Sequence, residues 1–171
     1  RKGQYLYAEE RGFQIIQLPY QGLRYAMYVI LPPEGTDINR VLSRVDGNSL
    51  LAAMDMMQMR EVKFMMPRFK AETSMILNKA MQNMGIRSAF TSAADFSGIA
   101  QMGPLVLDQV KQKCYIDVSE KGTEAAAVTS AQIRMTAVRP VTAMNVDRPF
   151  LFVIADMDNK DIMFVGKVVN L

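Results

Sequence analysis

The residue types that serve most enzymes are scarce in this chain. Its 171 residues include no histidine, and Cys114 is the only cysteine. A Ser-His-Asp or Cys-His catalytic set and a His-ligated metal site are therefore excluded, because each needs an imidazole. One cysteine also excludes an internal disulfide and a zinc cluster of thiolates. Cys114 shares one face of a strand-like stretch with Ile116 and Val118, so we interpret it as a small buried apolar residue.

Methionine is the one abundant residue type with ligand chemistry. Six of the 15 methionines lie between residues 54 and 66. Thioether sulfur is a soft ligand that selects Cu(I), so a copper site is one interpretation. No histidine or cysteine accompanies the cluster, which favours adaptable core packing instead. We expect no metal and no cofactor.

The charge pattern predicts neither a nucleic-acid partner nor a membrane partner. The chain has 20 basic and 17 acidic residues, a formal net charge of +3, which is far from a dense basic footprint. Its apolar runs are much shorter than the ~20 residues of a membrane-spanning helix. One local basic cluster is predicted to be a solvated strand face, with a polyanion site as the alternative. It consists of Arg60, Lys63, Arg68 and Lys70.

The most informative stretch covers residues 120–140. It has no turn-forming residues after Gly122 and is rich in Ala, Val and Thr, which is unusual for a solvated linker. At strand spacing, the positions 123, 125, 127, 129, 131 and 133 are uncharged and mostly small, whereas four of the six intervening positions are polar. This is the pattern of a half-buried strand with small inward side chains, as a strand entering a narrow gap would need. An ordinary Ala-rich helix or edge strand is the alternative.

The remaining elements predict an α+β fold. The strands are predicted at 13–18, 25–31, 61–66, 105–118, 141–146, 149–157 and 162–169. Helices are predicted at 38–45, with Asp37 as N-cap, and at 50–59. The clearest helix is predicted at 75–84, with Ser74 as its cap and Gly85 at its end.

Several motifs together resemble the serpin family. Glu120-Lys121-Gly122-Thr123-Glu124-Ala125-Ala126-Ala127 is similar to the hinge of the serpin reactive centre loop. The family's closing strands are matched by 148–152 and 164–170, and two further landmarks by 94–98 and 28–32. The order and spacing agree along nearly the whole chain.

The resemblance implies a partial serpin fold, with mixed β-sheets, helices and a long exposed reactive centre loop at about 120–140. Residues 1–171 are then the C-terminal part of a single serpin domain, and a complete member would need roughly twice this length. The N-terminal helices and most of the central sheet are expected to be absent from this chain. Alone, it is predicted to be poorly stable because a sheet edge would be unpaired.

The implied function is inhibition of serine proteases rather than catalysis. The protease cleaves the loop, forms an acyl-enzyme, and is trapped when the cleaved loop inserts into the central sheet. Gly122 gives the hinge conformational freedom. Thr123 and the three alanines, Ala125, Ala126 and Ala127, are small enough to be buried, which favours the inhibitory branch of the family.

Two further positions are implied by the family's pattern. Glu120 resembles the residue at the top of the insertion gap, and its basic partner is Arg68, following Pro67. Many members carry a histidine on the strand before the hinge, where this chain has Gln112. This position belongs to the gate, the point where the inserting loop must part the strands of the sheet. Glutamine still forms hydrogen bonds, but opening of the gate is not expected to depend on pH here.

The family's loop length predicts which bond is cleaved. Inhibitory members place the attacked residue seventeenth from the hinge glutamate, which selects Thr136 followed by Ala137. Small side chains there suit an elastase-like pocket. Arg134, Met135 and Arg139 remain alternatives, and cleavage after either arginine would indicate a trypsin-like partner.

Other functions also remain open. A non-inhibitory serpin that acts as a carrier or chaperone-like binding protein is the main alternative, and an unrelated interaction module is the third. Secretion to the extracellular space follows only from the tendency of the family, and an intracellular location remains open. The sequence does not decide whether a polyanion accelerates the reaction.

Overall fold

The structure is a computed structural model that describes residues 1–99, 105–119 and 141–170. Contacts divide the described chain into two compact units. One comprises residues 1–69 and 118–170, and the other residues 70–117. Among the helices of the described residues, none is long and apolar enough to span a membrane.

The first unit is built around a seven-stranded sheet. Its strands are β1 (Lys2–Glu10), β2 (Phe13–Pro19), β3 (Tyr25–Leu31), β4 (Gln58–Met65), β7 (Thr142–Asn145), β8 (Phe150–Asp156) and β9 (Ile162–Val168). Their order is β7-β4-β1-β2-β3-β8-β9. Five of the six pairings are antiparallel, and β4 with β7 is parallel. The sheet thus joins the first 65 residues to those after 141.

The middle of this sheet is buried on both faces. Six of the seven residues of β3, and six of the seven of β8, are buried. Continuous apolar runs are typical of strands covered on two sides, because both sets of alternating side chains must avoid water. One face packs against the helices through Ile38, Val41 and Leu50.

Two short helices follow β3, and each has a side-chain cap. Helix α1 (Ile38–Leu42) starts at Asp37, whose carboxylate accepts the Asn39 N–H at 2.9 Å. Helix α2 (Gly47–Asp55) starts at Asp46, which forms a reciprocal capping box with Ser49. The Ser49 hydrogen bonds lower the pKa of Asp46. The prediction of Asp37 as an N-cap is confirmed, whereas Asp46 was not predicted as a cap.

The second unit contains most of a two-stranded sheet and a short helix. Strand β5 (Phe69–Ile76) pairs with β6 (Lys111–Val118), and between them lie α3 (Asn78–Asn83) and a 3-10 turn at Ser88–Phe90. Gly85 has φ +100°, which confirms the left-handed residue predicted after this helix. The α+β class predicted from the sequence is confirmed by this mixture of sheets and helices.

Some predicted boundaries are wrong. The helix predicted at 75–84 begins only at Asn78, with Leu77 at its N-cap position and no side-chain cap, because Ser74 and Met75 belong to β5. The strand predicted at 105–118 begins at 111, and α2 ends at 55 rather than 59. Strand β1 was not predicted at all.

The methionine cluster is also different from the expected core packing. Met57 is buried, but Met59 on β4 is 63% exposed, and Met56 and Met65 are also exposed. Among the described residues, no group of three or more His, Cys, Asp or Glu side chains is arranged to hold a metal ion. These exposed methionines therefore do not pack in the core. Nor do they accompany a described cluster of carboxylates or thiolates that could hold a metal ion.

Candidate functional site

The whole of the predicted reactive segment, residues 120–140, lies outside the described residues. It includes the hinge (Glu120, Gly122, Thr123, Glu124, Ala125, Ala126 and Ala127) and the candidate cleavage positions (Arg134, Met135, Thr136, Ala137 and Arg139). Of the residues predicted to take part in the mechanism, the structure places Arg68 and Gln112. The strands that precede and follow the segment, β6 and β7, are described.

Strand β6 leads directly into the hinge and alternates in exposure. Cys114, Ile116 and Val118 are half-buried, whereas the intervening Tyr115 and Asp117 are exposed. This confirms that the three even-numbered side chains share a face, although Cys114 is only partly buried. Such alternation is typical of a strand with one packed face.

An ion pair joins β6 to β5 near the end of the sheet. Lys70 Nζ lies 2.8 Å from Asp117 Oδ2, and Tyr115 Oη donates to the same carboxylate oxygen at 3.2 Å. The hydrogen bond from Lys70 lowers the pKa of Asp117, and the same contact raises the pKa of Lys70. Both groups are solvated, so the pair contributes little to stability but helps to fix the register.

Gln112, at the predicted gate position, has a local partner. Its Nε2 lies 3.4 Å from Cys114 Sγ, two residues along the same strand. At this position β6 therefore has an amide that forms a hydrogen bond, where many serpins are expected to have an imidazole.

A cavity of about 380 Å³ lies in the first unit beside the point where β6 ends. Arg68 and Ser119 both line it, together with the apolar side chains of Leu18, Phe64 and Val118. Ser119 directly precedes Glu120 in the sequence. The structure thus brings Arg68 to the same cavity as the residue before Glu120, while the predicted Glu120–Arg68 pair itself lies outside the described residues.

Strand β7, which follows the segment, is held firmly in the large sheet. It pairs in parallel with β4, from Val62 opposite Thr142 to Met65 opposite Asn145. The Val146 N–H donates to the Met65 carbonyl oxygen at 2.8 Å, which extends this pairing. Met144 is fully buried, so both the backbone and a side chain anchor the strand.

A side-chain network adds a second anchor to β7. Gln14 Nε2 donates to the carbonyl oxygen of Ala143 at 2.9 Å and to Tyr7 Oη at 2.9 Å. Tyr7 Oη in turn donates to Glu9 Oε2 at 2.8 Å. Burial, followed by the hydrogen bond to Glu9, raises the pKa of Tyr7 to about 12. Tyr7 therefore stays neutral and remains a donor throughout the physiological range.

Strand β8 fixes the following residues in the interior of the sheet, one strand from its edge. It lies between β3 and β9, and Phe150 is fully buried. Before it, Arg148 Nε donates to the Pro32 carbonyl oxygen at 2.9 Å and holds the entry to the strand against the end of β3. At its other end, the carboxylate of Asp156 is 4% exposed and accepts a hydrogen bond from Arg24 Nε at 2.9 Å. This contact is the main cause of the lowered pKa of Asp156.

Close packing joins β8 to β9 around a glycine. Gly166 lies opposite Phe152 in the register, and a Cβ built on Gly166 would lie 2.5 Å from Phe152 Cε1. The Phe152 ring also contacts Phe69, with ring centroids 5.7 Å apart, and Phe69 meets Phe150 edge-on at 5.5 Å. Only glycine leaves room for this aromatic cluster.

The sequence did not single out the residues that anchor these strands. Gln14 is a polar residue inside the apolar run 13–18, which is a weak signal for a half-buried amide with a specific partner. Its acceptor is 129 positions away in the chain, so the sequence gives no indication of which carbonyl it meets. Arg148 and Gly166 lie in motifs that were recognised, but their contacts were not predicted.

The sequence matches a known family along its whole length. Residues 1–171 match the family model described as Serpin (serine protease inhibitor). Iripin-5 from Ixodes ricinus is 35% identical over 159 residues, which cover 92% of this chain and 40% of that protein. Serpin B6 from Pongo abelii is 38% identical over 164 residues, covering 94% and 43%. The chain thus spans about two fifths of the length of the curated relatives it matches.

Solved structures give the same result. A thermophilic serpin, tengpin, in its native state has a TM-score of 0.78 at 31% identity, with 99% of this chain and 45% of that chain covered. Thyroxine-binding globulin in complex with thyroxine has a TM-score of 0.80 at 27% identity and the same coverage. The partial serpin fold predicted from the motifs is confirmed, and the chain belongs to the serpin family.

Proposed function

We propose that the full-length protein carrying this chain inhibits a serine protease by the suicide-substrate route. The family description supports protease inhibition in general, and the residues of 120–140 support the specific mechanism. In this proposal the protease binds the segment as a substrate, and cleavage separates the segment from β7. The small side chains at its predicted inward positions then let it enter the sheet that contains β6.

The observation that carries the proposal is the different attachment of the two ends of the segment. Among the described residues, β6 has β5 as its sole strand partner, so one side of β6 is left without a described neighbour. Strand β7 belongs to the other sheet and is held there by β4 and Gln14. Cleavage between these ends would free the part joined to β6, while the part joined to β7 stays in place.

The chemistry at the cleaved bond follows from this asymmetry. The protease serine oxygen attacks the carbonyl carbon of Thr136, the bond to the Ala137 nitrogen breaks, and the amine leaves with a proton from the protease histidine. Thr136 is then held as an ester, and hydrolysis needs water to reach that ester. Insertion of the loop before hydrolysis would trap the covalent complex. Because β7 and β8 would stay in their sheet, insertion would carry the ester away from the new amine of Ala137, which disfavours religation.

The test uses the full-length protein with an elastase and, separately, with trypsin. A detergent-resistant band at the summed mass is expected, and the released C-terminal peptide is expected to begin at Ala137. A peptide that begins at Met135, Thr136 or Pro140 would instead assign cleavage after Arg134, Met135 or Arg139. Cleavage by both enzymes with no covalent band would contradict inhibition of these protease classes.

A pair of hinge variants separates insertion from simple recognition. Thr123→Arg places a long charged side chain at an inward position of the predicted strand, and we expect it to turn the inhibitor into a substrate because a buried unpaired charge is costly. Ser130→Arg adds the same side chain at an outward position and is expected to retain inhibition. Equal inhibition by both variants would contradict the insertion step.

The carrier or chaperone-like function remains the second candidate. Its support is limited to the structural similarity to thyroxine-binding globulin. It would take the lead if cleavage neither gave a covalent complex nor raised the melting temperature of the protein. Extracellular location is part of the main proposal and rests on the family tendency alone.

A further inference from the structure

A second cavity lies under the two helices of the first unit. It has a volume of about 560 Å³. Residues of β1, β2 and β3 form its floor, and α1, α2 and the turn after α1 form its walls. The volume falls within the ~300–1,000 Å³ typical of small-molecule sites.

The floor and inner walls of this cavity are apolar. Phe13, Ile15 and Ile30 line it from the sheet, and Val41 and Leu50 line it from the helices. Ile30, Val41 and Leu50 are buried and belong to the main core cluster. The apolar surface is therefore rigidly supported, so that an apolar chain would enter a largely preformed space.

The rim is basic. Arg11, Arg40 and Arg44 line the cavity, with Glu10 as the single carboxylate. Arg11 Nε lies 3.7 Å from Glu10 Oε1, so these two charges are paired with each other. Within the described chain, neither Arg40 nor Arg44 takes part in an ion pair or a side-chain hydrogen bond. Two positive charges at the rim are thus left without a counter-charge.

The backbone places these two arginines beside the apolar wall. The N–H groups of Ser43 and Val45 bond to the carbonyl oxygens of Asn39 and Val41, so the helical turn continues past Leu42. Arg40 and Arg44 are therefore neighbours one turn apart, and Val41 and Val45 form a parallel apolar row. A ligand lying along this turn would meet an apolar row and a basic row at the same time.

We propose that this cavity binds an amphipathic carboxylate of the fatty-acid class. Its hydrocarbon chain occupies the space over Phe13, Ile15 and Leu50, and its carboxylate is held by Arg40 and Arg44. Guanidinium groups suit this role because they are always charged and offer paired donors that match two carboxylate oxygens. The proposal is independent of the protease and of cleavage at 120–140.

The test is isothermal titration of the full-length protein with sodium decanoate below its micelle threshold. Saturable binding at one site is expected, weakening as salt is added because part of the attraction is electrostatic. Decyltrimethylammonium has a similar chain with the opposite charge and is expected to bind at least about tenfold more weakly. Equal binding of the two amphiphiles, or no saturable binding of decanoate up to about 1 mM, would overturn the proposal.

Two variants locate the binding on these residues. Arg40→Gln with Arg44→Gln removes both exposed charges without touching the core, and is expected to weaken decanoate binding at least about tenfold. Arg87→Gln, at an exposed arginine that does not line the cavity, is the matched control and is expected to bind normally. Wild-type affinity in the double variant would refute the assignment. Ala53→Phe, which fills the cavity from α2, is expected to abolish binding while leaving protease inhibition intact.

Discussion

Replacing Gly166 by alanine tests the packing of the strands that follow the reactive segment. The added Cβ would lie 2.5 Å from Phe152 Cε1 and closer still to Cζ, well inside the normal contact distance. The ring cannot move away freely, because Phe152 is buried and packs against Phe69. We therefore expect Gly166→Ala to separate β8 from β9 or to force the aromatic cluster to rearrange.

The expected change in the free energy of unfolding of Gly166→Ala is the balance of two opposing effects. Overpacking of a close-packed core costs about 1–3 kcal/mol. Alanine also restricts the unfolded chain more than glycine does, which returns about 0.4–1 kcal/mol. The net loss in the free energy of unfolding is then centred near about 1.3 kcal/mol, within limits of roughly 0–2.6 kcal/mol. The clash decides the sign because the nearest atoms belong to a ring that is itself enclosed.

The assay is urea-induced unfolding of the full-length protein, followed by tyrosine fluorescence and circular dichroism. Gly47→Ala is the matched control, since a Cβ at Gly47 meets nothing within 4 Å and alanine is favoured in a helix. We expect the Gly47 variant to be as stable as the parent or slightly more stable. Adding Phe152→Leu to Gly166→Ala should recover part of the loss, with a favourable coupling of at least about 0.5 kcal/mol. If Gly166→Ala were as stable as the parent, the packing argument would be refuted.

Two further perturbations test the anchors of β7 and β8. Gln14→Ala removes the donor to the exposed Ala143 carbonyl oxygen, which water can then reach, so it should cost about 0.5–1.5 kcal/mol in urea unfolding; the exposed Gln4→Ala on β1 should change stability by less than about 0.5 kcal/mol, and equal losses would argue against the anchor. The pKa of Asp156 is lowered in the folded state, so its contribution to stability is present above its unfolded pKa of about 4 and disappears as the pH falls through the folded value. Asp156→Asn should therefore lower the melting temperature at pH 7 and reduce its fall between pH 5 and about pH 2, whereas an unchanged pH profile would contradict the role given to this carboxylate.

Strands β3 and β8 were predictable because a continuous apolar run indicates a strand that is buried on both faces. The runs in β3 and β8 leave few alternatives, and turn residues such as Asp158-Asn159-Lys160 bound the last hairpin. Strand β5 was not predictable in the same way. Its last residues, Met75 and Ile76, also fit the apolar face of a helix, and pairing with β6, more than 30 residues later, decides between the two structures.

The same difference between local sequence signals and long-range contacts applies to the candidate site. The hinge pattern of 120–127 is local, so it can be proposed from the sequence alone, and it stays a prediction because these residues lie outside the described ones. The anchors of β7 depend on partners far away in the chain, as with Gln14 and Ala143, and no local spacing predicts such contacts. Gly166 shows the limit most clearly, since only the register opposite Phe152 explains why a larger residue does not fit there.

The pairing of β8 with β3 also has a consequence for biosynthesis. Strand β3 leaves the ribosome about 120 residues before β8, its neighbour in the sheet. At synthesis rates of about 5–20 residues per second, the apolar edge of β3 waits roughly 6–24 seconds for its partner. An unpaired apolar edge of this kind is prone to pair with other chains. Completion of the large sheet therefore waits until β8 has been synthesised, and a chaperone that shields residues 25–31 during that interval would raise the yield of folded protein.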